Sequence, residues 1–218
     1  MTLRLYNYAR NSAGYRVRIA LNLKGLAYEH ASVDIRPGSD EQHAKAFQAL
    51  NPQELVPVLV DGKTVIPQSA AIIEYLDERF PRPRLIPGRP SQRAAIRAFA
   101  QAVACDIHPL GNTRVITYLH KWLGHDEETR RAWYRHWVAL GFSALEAQLA
   151  AQPRRRGPFA FGKTPTLADI FLVPQWDVAR RWGCDLGPYR LLGNVVDSCL
   201  AHPAFRKAAP EVQPGFES

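Results

Sequence analysis

The stretch Tyr6–Leu23, with the sequence YNYARNSAGYRVRIALNL, decides the fold. It joins the end of a short strand to a helix through the polar turn Arg10–Gly14, and apolar residues recur at helical spacing beyond the turn. The backbone N–H groups at the start of such a helix carry positive partial charge and favour anions. Ser12 adds a hydroxyl donor and Arg10 adds a charge at the same place, so the turn is a candidate anion site.

The first half of the chain alternates strands and helices in the order β-α-β-α-β-β-α over about eighty residues. Strands one and two bracket a helix and should be parallel, whereas the two apolar runs around Asp61-Gly62 should form an antiparallel hairpin. A mixed four-stranded sheet with helices on its faces follows. Pro57 cannot donate to a sheet ladder, so we expect an edge position or a cis peptide there. Ser69 is the candidate N-cap of the next helix.

A proline-rich segment then separates this half from a helical second half. Residues 81–90 read PRPRLIPGRP, and such composition is typical of a domain linker. We expect domains at residues 1–82 and 91–218 with a linker at residues 83–90. The second domain is predicted to contain one long helix from Ser91 to about Tyr118, bent at Pro109, and a capping box at Thr166–Asp169.

Charge and cysteine content narrow the function classes. The 218 residues carry a net charge of +8, but the basic residues are scattered, and the run Arg154–Arg156 has no groove-reading motif beside it. No apolar run is long enough to span a membrane. Three widely spaced cysteines form neither a disulfide framework nor a metal pattern. We therefore expect a cytoplasmic protein with no nucleic-acid partner, no membrane partner and no metal.

Taken together, these motifs resemble those of a cytosolic glutathione transferase over nearly the whole chain. The Val56–Pro57 junction, the Gln68-Ser69 pair and the Thr166–Asp169 box occur in family order. The opening helix is similar to that of the zeta class, and the segments LNLKG, ALNPQELVP, DIHP and TPTLAD resemble the bacterial maleylpyruvate isomerases of that class. The resemblance implies an α/β thioredoxin-like N-terminal domain with a mixed four-stranded sheet, followed by an all-α C-terminal domain.

The resemblance also implies a cofactor and the residues that hold it. The cofactor is glutathione, and its thiol would lie at the start of the first helix, where Ser12 would stabilise the thiolate. The other implied glutathione-binding residues are Asn11, Val56, Pro57 in a cis peptide, Gln68, Ser69, His108 and Asn112. The cysteine of the class motif is replaced by Ala13, which leaves no cysteine in the first domain and argues against thiol–disulfide exchange.

The implied reaction is the glutathione-dependent cis–trans isomerisation of a maleyl keto acid in aromatic catabolism. The substrate would be maleylacetoacetate or maleylpyruvate, a small dicarboxylate whose two carboxylates would be bound by Arg10 and Arg181. Arg180 is adjacent and stays open as an alternative to Arg181. The family also implies a homodimer. Two other functions stay open: a general transferase that conjugates small electrophiles, and a non-catalytic binding protein of the same fold.

Each candidate residue also has an ordinary structural alternative. Ser12 would be the N-cap of its own helix, Arg10 and Arg181 would be solvated surface arginines, and His108 would be packed where Pro109 disturbs its helix. The hydrogen bonds that these side chains make distinguish between the two roles.

Overall fold

The computed structural model describes residues 2–36, 38–152 and 157–216. The chain forms two compact units, the first made of residues 1–85 and 201–218 and the second of residues 86–200. The basic run Arg154–Arg156 lies outside the described residues. Within the described ranges, no helix combines the length and the apolar composition that crossing a bilayer requires.

The first unit is built on a four-stranded sheet in the order β2-β1-β3-β4. Its strands and helices are β1 (Leu3–Asn7), α1 (Ser12–Leu23), β2 (Tyr28–Ser32), α2 (Lys45–Leu50), β3 (Val58–Asp61), β4 (Thr64–Pro67) and α3 (Ser69–Arg79). Strand β1 pairs in parallel with β2 and antiparallel with β3, and β3 and β4 form an antiparallel hairpin. The predicted mixed sheet is therefore confirmed.

The regular elements named in the second unit are helices. They are α4 (Pro90–Gln101), α5 (Thr113–Lys121), α6 (Glu127–Ala150), α7 (Leu167–Arg181) and α8 (Arg190–Leu200). The capping box at the start of α7 is confirmed, because the Thr166 backbone N–H and hydroxyl donate to the Asp169 carboxylate at 2.7 and 2.9 Å. The Ala160 N–H donates to the other Asp169 oxygen at 2.8 Å. Asp169 is fully buried, which raises its pKa, and these hydrogen bonds oppose that effect.

The prediction of one long helix from Ser91 to about Tyr118 is wrong. After α4, residues Ala102–Ile107 form a π-helical turn and residues His108–Gly111 form a 3-10 turn. Pro109 has no backbone N–H and its ring obstructs the preceding turn, so the chain leaves α-helical geometry here instead of bending within it.

Contacts from α6 hold this irregular segment in place. The Trp133 indole N–H donates to the Leu110 carbonyl at 2.8 Å, which satisfies an acceptor that has left the helix. Gly111 allows the Tyr134 ring to approach, since a Cβ at that glycine would lie 2.0 Å from the ring. The sequence signal from Pro109 was correct, but packing against α6 determines the path of the chain.

The C-terminal segment from residue 201 packs with the first unit and contains α9 (Pro203–Ala208). The Arg18 Nε donates to the Ala208 carbonyl at 2.9 Å, and the Asn22 side chain donates to the Ala204 carbonyl at 3.1 Å. The sequence predicts this segment as part of the second domain, because no boundary signal precedes it. In the structure it packs in the first unit, where Arg18 and Asn22 of α1 donate to its carbonyl groups.

A buried ion pair lies at the C-terminal end of α1, where Lys24 is the C-cap residue. The Lys24 side chain has no exposed surface, and its Nζ donates to Asp77 Oδ1 at 2.9 Å. The same ammonium group donates to the carbonyls of Phe80 and Pro83 at 2.7 and 2.8 Å. Asp77 in turn accepts a hydrogen bond from the Leu85 N–H at 2.7 Å. The pair thus ties the end of α1 to the segment that follows α3.

We expect Lys24→Met to lower the free energy of unfolding by about 3–5 kcal/mol, because it removes the buried ammonium group 2.9 Å from Asp77 and leaves the half-exposed Arg84, at 3.8 Å, as a weaker partner of that carboxylate. Urea denaturation followed by circular dichroism measures this change. Lys63→Met is the matched control, since Lys63 is exposed in the β3–β4 turn, and it should change stability little. A loss of less than about 1 kcal/mol for Lys24→Met, the range of a surface pair, would contradict this account of the ion pair.

Candidate functional site

The turn between β1 and α1 brings together Arg10, Asn11 and Ser12. Asn11 is the N-cap of α1, and its Oδ1 accepts a hydrogen bond from the Gly14 N–H at 2.7 Å. Ser12 is the first helical residue, so it does not have the capping role that was its structural alternative. Its hydroxyl lies at the positive end of the helix dipole. The Arg10 guanidinium lies over the Phe216 ring, with its Cζ 5.7 Å from the ring centroid.

A buried polar network supports this turn. Arg18 has no exposed surface, and its guanidinium donates to Asn7 Oδ1 and to the Ala9 carbonyl, both at 3.0 Å. The Asn7 amide nitrogen lies 3.1 Å from His30 Nε2. Asn7 Oδ1 also fills the space beside Gly14, where a Cβ would lie 1.9 Å from it. Glycine at position 14 therefore allows the first turn of α1 to lie against Asn7.

Sequence reasoning missed Asn7 and Arg18 as part of the site. Arg18 lies six residues beyond Ser12, in a segment that also carries the basic Arg16, and nothing local in the sequence distinguishes a buried arginine from an exposed one. One signal for the burial of Arg18 was available in the sequence, since most other positions of α1 are apolar. A helix that is buried on nearly all sides must bury its polar residues as well. Ten of its twelve residues, Ser12 to Leu21, are buried.

The start of α3 provides a second helix N-terminus in the same unit. The expectation that Ser69 caps this helix is wrong by one residue, because Gln68 is the N-cap and Ser69 is the first helical residue. Gln68 has a φ of 70° and makes no capping hydrogen bond with its side chain. A positive φ is strained for glutamine, and strained residues cluster at sites that bind ligands. The Gln68 side chain instead donates to Gln53 Oε1 at 2.7 Å.

The two helix starts are connected by Arg16. Its Nη1 donates to the Ser69 hydroxyl at 3.4 Å, and both residues are buried. The Val56–Pro57 peptide bond is cis, as predicted, and it directly precedes β3. The alternative of an edge position does not hold, because β3 lies between β1 and β4. The first unit thus holds Arg10, Asn11, Ser12, Val56, Pro57, Gln68 and Ser69.

The remaining predicted residues belong to the second unit. His108 is half-buried at the start of the 3-10 turn that follows the π-helical segment, and π-helical insertions are frequent at functional sites. Asn112 is the N-cap of α5, and its Oδ1 accepts a hydrogen bond from the Arg114 N–H at 3.1 Å. The carboxamide oxygen of Asn112 is thus committed to the helix, and its NH₂ group is the part that suits a ligand.

Arg181 is the last residue of α7 and shares a carboxylate with its neighbour. The Arg181 Nε donates to Asp177 Oδ2 at 3.1 Å, and the Arg180 Nη2 donates to Asp177 Oδ1 at 3.0 Å. One carboxylate thus serves two guanidinium groups, so this end of the helix keeps a net positive charge. The Arg181 side chain is 32% exposed and that of Arg180 is 67% exposed, which makes Arg181 the better enclosed of the two.

Two domain families of known proteins match the chain. The glutathione S-transferase N-terminal domain matches residues 5–84, and the glutathione S-transferase C-terminal domain matches residues 130–212. These ranges contain the β1–α1 turn, the start of α3 and the capping box of α7. The matched ranges therefore cover most of both units.

Full-length relatives extend the comparison. A maleylpyruvate isomerase from a Ralstonia species is 49% identical over 212 residues, which are 97% of this chain and 99% of that protein. The holo structure of a maleyl pyruvate isomerase, described as a bacterial zeta-class glutathione S-transferase, has a TM-score of 0.93 at 49% identity and covers 97% of this chain and 98% of its own. A maleylacetoacetate isomerase from Anaeromyxobacter dehalogenans, solved with dicarboxyethyl glutathione and citrate in its active site, has a TM-score of 0.84 at 41% identity, over 98% of this chain and 93% of its own.

Proposed function

Because this chain belongs to the glutathione transferase family, we propose that it is a glutathione-dependent cis–trans isomerase of a maleyl keto acid. The substrate is maleylacetoacetate or maleylpyruvate, the product is the fumaryl isomer, and the reaction serves aromatic catabolism. One observation carries the proposal. At the positive end of α1, Asn11 makes the capping hydrogen bond, which leaves Ser12 as the first helical residue, two positions after Arg10 in the turn.

The residues of the first unit fit a glutathione molecule. Glutathione is anionic at its γ-glutamyl carboxylate and, once ionised, at its thiol, and the unit offers two helix N-termini for these groups. Ser12 and Asn11 stand at the start of α1 for the thiol, while Gln68 and Ser69 stand at the start of α3 for the carboxylate. The backbone of Val56, next to the cis peptide, offers hydrogen bonds to the backbone of the cysteinyl residue of glutathione. In the second unit, His108 and Asn112 are the proposed glutathione contacts.

The task of Ser12 is to favour an ionised thiol. When bound, glutathione supplies a thiolate nucleophile that adds reversibly to the double bond and so permits its rotation. A free thiol has a pKa of about 8.5, so it is mostly protonated near neutral pH. A charge-assisted hydrogen bond from the Ser12 hydroxyl is worth about 1.5–3 kcal/mol, or roughly one to two pKa units. The thiol pKa then falls to about 6.5–7.5, so that a large fraction of the bound glutathione is thiolate near neutral pH.

The task of Arg10 and Arg181 is to bind the substrate carboxylates. Guanidinium groups bind carboxylates through two parallel hydrogen bonds, which fixes orientation as well as position. Arg10 is held over the Phe216 ring and stands two residues from Ser12. Arg181 is better enclosed than Arg180, and the carboxylate that they share leaves an excess of positive charge for a dicarboxylate.

We expect Ser12→Ala to lower the rate of isomerisation roughly 10–100-fold, which is the effect of one lost hydrogen bond to a charged group. The affinity for glutathione should change little, because the tripeptide keeps its other contacts. Steady-state kinetics and calorimetric titration with glutathione measure the two quantities. An unchanged rate would transfer the role to Asn11 or to backbone N–H groups.

We expect Arg181→Met to reduce kcat/KM for the cis-dicarboxylate by about 2–4 kcal/mol in free-energy terms, because one substrate carboxylate loses its partner. Activity towards an uncharged aryl halide should be nearly unchanged, as should glutathione binding. Arg180→Met is the matched control, since Arg180 pairs with the same Asp177. Equal losses on both substrates would show that Arg181 supports the fold or the cofactor, and a general conjugating transferase would become the better assignment.

We also propose that the protein is a homodimer that works in the cytoplasm. Cys105, Cys184 and Cys199 are all free thiols, which suits a reducing compartment. The dimer is the assembly that the family resemblance implies. Light scattering at micromolar concentration should give about twice the chain mass of 24.5 kDa, and a mass equal to that of one chain would refute the dimer.

A further inference from the structure

The charge of Arg18 is buried beside the β1–α1 turn, and no carboxylate among the described residues forms an ion pair with it. Its guanidinium donates to three neutral acceptors, which are Asn7 Oδ1, the Ala9 carbonyl and the Ala208 carbonyl. We propose that this uncompensated buried charge, held against the first turn of α1, favours the thiolate form of glutathione bound at Ser12. Arg18 then acts on the thiol through its electric field and does not contact glutathione. The inference rests on the proposed function, since it assumes that the thiol binds at this turn.

A buried cation without a carboxylate is costly, and its retention needs a reason. Burial lowers the pKa of Arg18 to about 10, so the side chain stays charged at neutral pH although the fold disfavours the charge. Lys24 on the same helix shows the usual solution, because its buried ammonium group is paired with Asp77 at 2.9 Å. Arg18 has carbonyl and carboxamide oxygens where Lys24 has a carboxylate. Within residues 2–36, 38–152 and 157–216, its field is therefore not cancelled by a directly bonded carboxylate.

The distances place this charge close to the turn. The Arg18 Nη2 lies 3.0 Å from the Ala9 carbonyl oxygen, on one side of Ser12 in the chain. The Arg18 Nη1 lies 3.5 Å from the point that a Cβ on Gly14 would occupy, on the other side of Ser12. An anion bound at this end of α1 would therefore share the turn with the guanidinium. An opposite charge within about 4–6 Å shifts a pKa by roughly one unit or more.

The other titratable groups around Arg18 do not neutralise it at neutral pH. From β2, Tyr28 and His30 face it. Burial raises the pKa of Tyr28 and lowers the pKa of His30, so both are uncharged there. From its own helix, Tyr15 presents its ring, 5.4 Å from the Arg18 Cζ. From the C-terminal segment, Glu211 interacts with it, but Glu211 is exposed and its charge is screened by solvent.

The decisive variant is Asn7→Asp. Aspartate has the size and shape of asparagine and keeps the oxygen that accepts from Arg18 at 3.0 Å. It adds a negative charge that opposes the guanidinium field, and its second oxygen takes the place of the amide nitrogen 3.1 Å from His30 Nε2, where it can accept a hydrogen bond from that ring. We expect the thiol pKa of bound glutathione to rise by about one unit, which is about tenfold less thiolate at a pH below that value. The ultraviolet absorbance of the thiolate, recorded against pH with the protein saturated by glutathione, measures this pKa without turnover.

Two further variants distinguish the effect of the buried charge from the effect of net charge and of the guanidinium hydrogen bonds. Arg4→Gln changes the net charge by the same amount as Asn7→Asp, but Arg4 is exposed on β1, and the thiol pKa should not move. Arg18→Lys keeps a charge but loses the planar fork, so the free energy of unfolding should fall while the thiol pKa stays near that of the wild type. This second test does not depend on how well Asn7→Asp folds.

The outcomes distinguish the inference from the function on which it rests. A wild-type protein that fails to bind glutathione in calorimetry would overturn the proposed function, and this inference with it. Normal binding of glutathione by Asn7→Asp with an unchanged thiol pKa would overturn the inference alone, since Arg18 would then be purely structural. A thiol pKa that rises as much in Arg4→Gln as in Asn7→Asp would also overturn it, because net charge would suffice as the cause.

Discussion

A buried guanidinium must find its hydrogen-bond acceptors inside the protein, and Arg18 finds them in three separate segments of the chain. Asn7 ends strand β1, Ala9 lies in the following turn, and Ala208 ends the C-terminal helix α9. If any one of these contacts were lost, a charged N–H group of Arg18 would be buried without a hydrogen-bond acceptor. The end of β1, the β1–α1 turn and the C-terminal segment of the first unit are therefore mutually dependent.

Two basic side chains of α1 and that of its C-cap residue, Lys24, link the helix to neighbouring segments in the same way. Arg16 reaches the Ser69 hydroxyl at the start of α3, Arg18 reaches the β1–α1 turn, and Lys24 is paired with Asp77 near the end of α3. The apolar residues of α1 bury it, and its cations then determine which neighbouring segments it holds. Through Arg16, the first turns of α1 are thus linked to the start of α3 within one unit.

The proposed chemistry depends on a division of roles at each helix start. At α1 the Asn11 side chain caps the helix, which separates the capping role from the hydroxyl at Ser12. At α3 the N-cap residue Gln68 has positive φ and no capping hydrogen bond from its side chain. Both helix starts direct backbone N–H groups outwards, where anions bind. A tripeptide with a carboxylate at one end and an ionisable thiol on its central residue suits such a pair better than a neutral ligand does.

The sequence by itself determined the order of the elements in the first half, the mixed sheet and the capping box at Thr166–Asp169, and it reduced Pro57 to an edge position or a cis peptide. These features follow from local patterns, namely the hydrophobic period, turn residues and the chemistry of proline. It also pointed to Arg10 and Ser12, because a polar turn between a strand and a helix is visible in a linear pattern.

The tertiary structure alone decided which polar residues are buried and what they contact. It placed Asn7 and Arg18 beneath the turn, moved the cap from Ser69 to Gln68, and broke the helix that was predicted to run from Ser91. It also packed the C-terminal segment on α1. Each of these outcomes depends on partners that are distant in the chain. Because no local pattern encodes the desolvation of a charge or the approach of a remote carbonyl group, only the folded protein could reveal them.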